Sequence, residues 1–154
     1  MEPYLRSEMD ALADRLENLH LGYDWEDGRR VINPDGLTEN CYYCTAAYLG
    51  GYRSVHHLVQ ETEIMQQCRA NIDEIRDLFD AAGISYRFKR TADWVRAEEL
   101  CGSGEGGLAY IRADGSGHMV AFRGGTIVDK QSNTRAPFEA ILDEGAHDFW
   151  FFFV

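Results

Sequence analysis

Residues 117–131 read GHMVAFRGGTIVDKQ, and the fold turns on how this stretch is read. Two short apolar runs, 118–122 and 126–130, flank Arg123-Gly124-Gly125. Adjacent glycines suit the positive φ angles of a tight turn, so the stretch predicts two antiparallel strands in a hairpin. Parity then places two chemically active side chains. With Arg123-Gly124 as the loop, His118 falls directly opposite Asp129; with Gly124-Gly125 the two become diagonal neighbours on one face. Opposed Cβ atoms stand about 5 Å apart, close enough for a carboxylate to hold an imidazole N–H. A three-residue loop without a bulge would separate them onto opposite faces. A coincidental surface His/Asp pair fits a lone hairpin equally well, so the pair gains meaning only from the rest of the chain.

Upstream of the hairpin, LAYIR (108–112) predicts a further strand, joined through the turn ADGSG, while CGSGEGG (101–107) reads as a loop. Downstream, a short helix around 137–142 leads to DFWFFFV. Its apolar residues from Phe149 to Val154 predict a strand buried on both faces or covered at an edge.

The N-terminal half reads as helical. Leu5, Met9, Leu12, Leu16 and Leu19 form one stripe of a helix over 2–20. Loop composition from Gly22 to Glu39, including Asn33-Pro34, gives way to Asn40, a favourable N-cap for a helix over roughly 41–49 that ends at Gly50-Gly51. Ile64, Cys68, Ile72, Ile75 and Phe79 predict a longer helix over about 58–81. Ile84 to Phe88 alternates as a strand, and Thr91 or Asp93 caps a short helix ending near Leu100. Helices followed by an antiparallel meander predict an α+β fold, and 154 residues suit one domain over 1–154 with one core.

Composition narrows the partners. Against 26 Asp+Glu stand 15 Lys+Arg, a formal charge of −11. Nucleic acid and anionic membrane surfaces both require clusters of Lys and Arg, so neither is expected, and a neutral or basic partner is. No apolar run approaches the ~20 residues of a membrane span. The acidic start MEPYLRSEMDALADRLE lacks a signal-peptide core. Four cysteines are too sparse for a disulfide scaffold, which predicts reduced thiols and a protein that folds and works in a cytosol.

Two of those cysteines stand three apart in TENCYYCTAAYLG (38–50). A structural zinc site needs four ligands, and neither Cys68, Cys101 nor His56-His57 supplies a second pair at metal spacing. A redox Cys-x-x-Cys belongs between a strand and a helix, whereas here a long polar loop precedes it. Most free cysteines are small buried hydrophobes, and Cys44, with Ala47 and Tyr48 on the next turn, fits that description. Cys41 differs, because the first helical position exposes it to the helix dipole and favours a thiolate. A thiolate nucleophile needs a base and an orienter. His20, His56, His57 and His147 lie in charged helical or loop contexts, so His118, with Asp129 on the next strand, is the candidate.

Cys, His and Asp in that order, with the Cys opening a helix and the other two on adjacent strands, resemble a papain-like fold. VINPDGLTENCYYC, the glycine pair after the helix, GHMVAF and TIVDKQS together resemble the papain-fold glutamine deamidase toxins, a family of bacterial effectors and polymorphic-toxin tips. The motifs span about 31–132; the N-terminal helix and the aromatic C-terminus lie outside them. The resemblance implies Cys41 as nucleophile, His118 as general base and acid, and Asp129 as its orienter. Gln131 matches a family position to which the sequence attaches no role. No metal or cofactor is implied. The implied partner is a target protein carrying the modified glutamine, and a cognate immunity protein is left open as a second. The implied setting is synthesis in a bacterial cytoplasm and delivery to a target-cell cytosol.

Two rivals remain open at the level of sequence. The same three residues would serve a cysteine protease or a transglutaminase, since the reactions differ in what fits the cleft and what attacks the thioester. A papain-like binding module with a silent site is the non-enzymatic alternative.

Overall fold

The computed structural model describes residues 32–35, 40–64 and 71–154. The helix expected over 2–20 lies outside them. In chain order the elements are α1 (Cys41–Leu49), α2 (Val55–Thr62), α3 (Ile72–Ala81), β1 (Arg87–Thr91), α4 (Trp94–Gly102), β2 (Glu105–Ile111), β3 (Gly117–Arg123), β4 (Thr126–Asp129), β5 (Thr134–Pro137), α5 (Glu139–Leu142) and β6 (His147–Phe153). The architecture is α+β, with N-terminal helices packed against a six-stranded antiparallel sheet of order β1-β6-β2-β3-β4-β5. Among the described residues no helix is long and apolar enough to cross a membrane.

The last strand is not the end of a meander. β6 enters between β1 and β2, and its composition explains why. Phe152 packs on one side of the sheet against Phe79, Tyr86 and Phe88. Phe151 and Phe153 pack on the other side against Phe122, and Phe149 against Phe138. A fully buried aromatic side chain contributes about 1.5–3 kcal/mol through removal from water, and between β1 and β2 the strand has a packed core on both faces. Under α1–α3, Tyr43, Cys44, Tyr48 and Leu58 meet Met119, Ala121 and Val128. Under α4 and α5, Leu100, Cys101 and Phe138 meet Leu108, Val120 and Ile127. α1 is buried at every residue, so it is a core helix rather than an amphipathic surface one.

Several boundaries differ from those read in the sequence. The helix expected over 58–81 is interrupted: α2 stops at Thr62, Glu63 adopts a left-handed φ of 58°, and a new helix starts at Ile72. Asn71 caps it by accepting a hydrogen bond from the Glu74 N–H at 2.9 Å. Residues 65–70 of that expected helix lie outside the described set. Ile84 is not a strand residue but closes a Schellman motif on α3. Its N–H donates to the Phe79 carbonyl, Gly83 N–H donates to that of Asp80, and Gly83 takes φ 75°. Asp93, not Thr91, caps α4, accepting from the Val95 N–H at 3.1 Å.

The loop expected at 101–107 divides into the last two residues of α4 (Cys101 and Gly102), a turn at 103–104 and the first three residues of β2. A Cβ on Gly106 would stand 1.8 Å from the Phe152 carbonyl oxygen, and one on Gly107 2.7 Å from the Met119 methyl. These glycines mark close approach of β2 to its neighbours rather than a flexible turn. β5 was not expected; it pairs with β4 through Thr126↔Pro137 to Asp129↔Thr134. Between β2 and β6 the register shifts at Tyr110/Ile111, leaving Asp148 as an extra residue with φ 56°. Arg90 grips its carboxylate through Nε (2.9 Å) and Nη2 (2.7 Å) and lies over the Trp150 ring at 5.0 Å. The bulge therefore fixes where Trp150 stands.

Candidate active site

The β3–β4 register, Ala121↔Val128, Phe122↔Ile127 and Arg123↔Thr126, defines a two-residue loop at Gly124-Gly125. Both glycines have positive φ, 54° and 88°, as a type I′ turn requires. Continued by one pair, this register sets Asp129 across from Val120, so His118 is its diagonal neighbour on the same face. The side chains close that diagonal: His118 Nε2 lies 2.7 Å from Asp129 Oδ2. The other carboxylate oxygen, Oδ1, accepts from the backbone N–H groups of Gln131 (3.0 Å) and Ser132 (3.3 Å). The chain turns immediately after β4, and that turn immobilises the carboxylate.

Cys41 occupies the first position of α1, with 9% of its surface exposed. The His118 ring hydrogen-bonds Cys41 as well as Asp129. With Nε2 engaged by Asp129, Nδ1 is the nitrogen left to face the thiol. Burial opposes a charge on His118, but the hydrogen bonds and attraction from Asp129 and Cys41 outweigh it and raise its pKa to about 9. Burial likewise pushes Asp129 upward, yet His118 and the two backbone donors hold it below its ordinary value. The pair is thus imidazolium and carboxylate at neutral pH. Cys44, one turn along α1, is fully buried, and burial pushes its thiol up to about 12. Cys101 is pushed to about 12 for the same reason. The structure brings Cys41, His118 and Asp129 together and leaves Cys44 in the core.

Cys41, His118 and Gln131 line a cleft of about 890 Å³ at the end of the sheet where β2 finishes and β3 begins. Ile72 and Ile75 of α3, Ala109 of β2 and Trp150 of β6 give it an apolar wall, and Arg112, Asp114 and Ser116 a polar rim. Among the described residues no three His, Cys, Asp or Glu side chains converge to hold a metal ion.

Tyr110, Glu144 and Arg112 were not foreseen beside this site. Tyr110 is the cross-strand partner of His118, and its ring meets the imidazole edge-on at 5.8 Å and 80°. Its hydroxyl donates to Glu144 Oε2 at 2.9 Å, while Arg112 Nε donates to Oε1 at 2.8 Å. Burial, reinforced by Glu144, raises the Tyr110 pKa, so the phenol stays protonated. The Arg112 guanidinium lies near enough to Cys41 to interact electrostatically with it. Parity across the 112–116 turn could have identified Tyr110; nothing local announces Glu144, 34 residues away.

Asn40 departs from its expected role. It occupies the N-cap position, but its side chain makes no capping hydrogen bond. Its Oδ1 accepts from Gln131 Nε2 at 3.0 Å, and its Nδ2 donates to Asn33 Oδ1 at 3.3 Å. Asn33 Nδ2 in turn donates to the Gln131 carbonyl at 3.1 Å.

No protein-family model and no curated protein matches this chain.

Proposed function

We propose that this chain is a protein-glutamine deamidase of papain-like fold, acting as a bacterial toxin or effector on a target protein in another cell's cytosol. The observation that carries the reading is the His118 imidazole, held at 2.7 Å by Asp129 and hydrogen-bonded on to Cys41 at a helix start on the cleft. The motif resemblance of NCYYC, GHMVAF and TIVDKQS to the deamidase toxins supplies the choice of glutamine. A cleft of about 890 Å³ is several times what one carboxamide side chain fills, which favours a polypeptide segment as substrate.

In the proposed reaction the Cys41 thiolate attacks the glutamine side-chain carbonyl carbon, and the oxyanion forms beside the α1 N-terminus, where the Cys41 backbone N–H is placed to donate. The His118 imidazolium gives its proton to the departing nitrogen, so ammonia leaves as the C–N bond breaks and a thioester remains. Neutral His118 then takes a proton from water; the hydroxide adds to the thioester, the C–S bond breaks, and glutamate and the thiolate are released. Water is the only co-reactant. Each turnover adds one negative charge to the target, which disrupts an interface facing acidic groups.

The test incubates soluble proteins of candidate target cells with this chain or with Cys41→Ala and maps peptides by mass spectrometry. Glutamine-to-glutamate conversion by the parent alone is the expected result. New termini without such conversion would replace this reading with a protease, and amine-linked glutamines with a transglutaminase. No covalent change would leave a binding module.

A further inference from the structure

We infer that Gln131 is a positioning residue: its side chain ties the residue preceding the nucleophile to the turn that holds Asp129, and so sets the Cys41–His118 separation. The inference rests on the proposed roles of Cys41, His118 and Asp129, and assigns Gln131 a role the sequence motif left blank. Three observations carry it. The Gln131 backbone N–H holds Asp129 Oδ1 at 3.0 Å, the oxygen that His118 does not use. The Gln131 side-chain Nε2 holds Asn40 Oδ1 at 3.0 Å, across 91 residues of chain. The Asn40 amide passes on to Asn33, whose Nδ2 returns to the Gln131 carbonyl, so donors and acceptors run head to tail around a closed ring.

This ring accounts for the absence of a side-chain cap on α1. Asn40 is 4% exposed and gives up the cap, typically about 1 kcal/mol, for bonds to Gln131 and Asn33. Cys41 is covalently next to Asn40, and Asp129 is two residues from Gln131. A single side chain thereby couples the helix carrying the thiol to the strand end carrying the carboxylate. His118 is also held by the edge-on Tyr110 ring and by Asp129, so movement at the helix start translates into a changed thiol–imidazole distance.

The experiment follows alkylation of Cys41 by iodoacetamide against pH, with the modified site assigned by peptide mapping, in Gln131→Met, Asn40→Ala and the double variant. The charged groups bearing on the readout are His118, Asp129, Arg112 and the Glu144 carboxylate behind Tyr110 and Arg112. Each single variant is expected to react on the order of tenfold more slowly at neutral pH. Its alkaline limb should move to lower pH as His118 loses the Cys41 hydrogen bond. The double variant should react no more slowly than the slower single one, because both remove the same bond. A general loss of packing would change melting temperature without moving the limb. Profiles superimposable on the parent, or fully additive losses, overturn the inference. Should Gln131→Met fail to fold, Asn40→Ala alone carries the pH readout with the same two outcomes. Alkylation needs no glutamine substrate, so failure to find deamidation would overturn the proposed activity and leave this result standing or falling by itself.

Discussion

His118 and Asp129 are diagonal, not opposed, on adjacent strands, yet their side chains meet at 2.7 Å. The contact depends on a two-residue turn whose glycines both take positive φ, and on two backbone N–H groups that aim the carboxylate back along the hairpin. The orienting role proposed for Asp129 needs this rigidity, because a histidine free to rotate spends most of its time out of reach of the thiol.

Replacing Asp129 by Asn keeps the shape and removes the charge. Without the carboxylate, the imidazolium loses its principal stabilising partner and the tautomer is no longer fixed. Deamidation by Asp129→Asn is expected to fall by about 10²-fold or more, with circular dichroism unchanged. Initial rates on any target identified by mass spectrometry provide the check, and a rate within twofold of the parent would remove Asp129 from the mechanism.

The same pair makes stability depend on pH, and the sign follows from the two shifts. His118 is raised from 6.5 to about 9, so its contribution is complete below 6.5 and is lost as pH rises through about 9. Asp129 is lowered from 3.8, so its contribution is complete above 3.8 and is lost as pH falls through its depressed value. Thermal melts of the parent and of His118→Gln should therefore differ most between those limits and converge toward pH 9. A constant gap from pH 6 to 10 would contradict the ion pair.

Cys44 supplies an internal control. Its thiol, pushed up to about 12 in the core under α1, should resist alkylation in the native state at neutral pH, whereas Cys41 should react. Cys44→Ala is expected to cost about 1–2 kcal/mol in denaturant unfolding while leaving catalysis intact. If Cys44→Ala abolished activity without unfolding the protein and Cys41→Ala spared it, the nucleophile would have been assigned to the wrong cysteine.

The glycines of β2 and of the hairpin separate close approach from turn geometry. Gly106→Ala drives a Cβ to 1.8 Å from the Phe152 carbonyl oxygen and so breaks the β2–β6 pairing. Gly124→Ala meets nothing within 4 Å and bears only the strain of its φ of 54°. The first should cost about 3 kcal/mol or more and the second about 1–2 kcal/mol. Equal losses in urea unfolding would mean that residues 105–107 are not held in the sheet.

Features carried by local chemistry were legible in the sequence. Adjacent glycines between short apolar runs announce the hairpin, period-two parity puts His118 and Asp129 on one face, and the polar-to-apolar switch at Asn40 marks where α1 begins. Features decided by distant neighbours were not. The glycines of 102–107 resemble loop composition because what forbids a side chain at 106 is the distant Phe152 backbone, and what crowds one at 107 is the Met119 methyl. The apolar stripe continues through Ile64 and Ile72, which both pack on the core, so its periodicity concealed the break at Glu63. Asn40 has the composition of a cap, and only its proximity to Gln131 and Asn33 redirects its amide. Composition also could not show that β6 enters between β1 and β2, since a strand apolar on both faces fits any interior place in the sheet.

The pairing of His118 with Cys41 is tested most directly by the rate of Cys41 alkylation against pH in the parent and in His118→Ala. The parent is expected to react readily at neutral pH, with a profile that bends near pH 9, where His118 loses its proton. In His118→Ala the bend should vanish, and the neutral-pH rate should fall by about tenfold or more toward that of an ordinary thiol. Two superimposable profiles, each rising only near the free-thiol value of about 8.5, would contradict the pairing of His118 with Cys41.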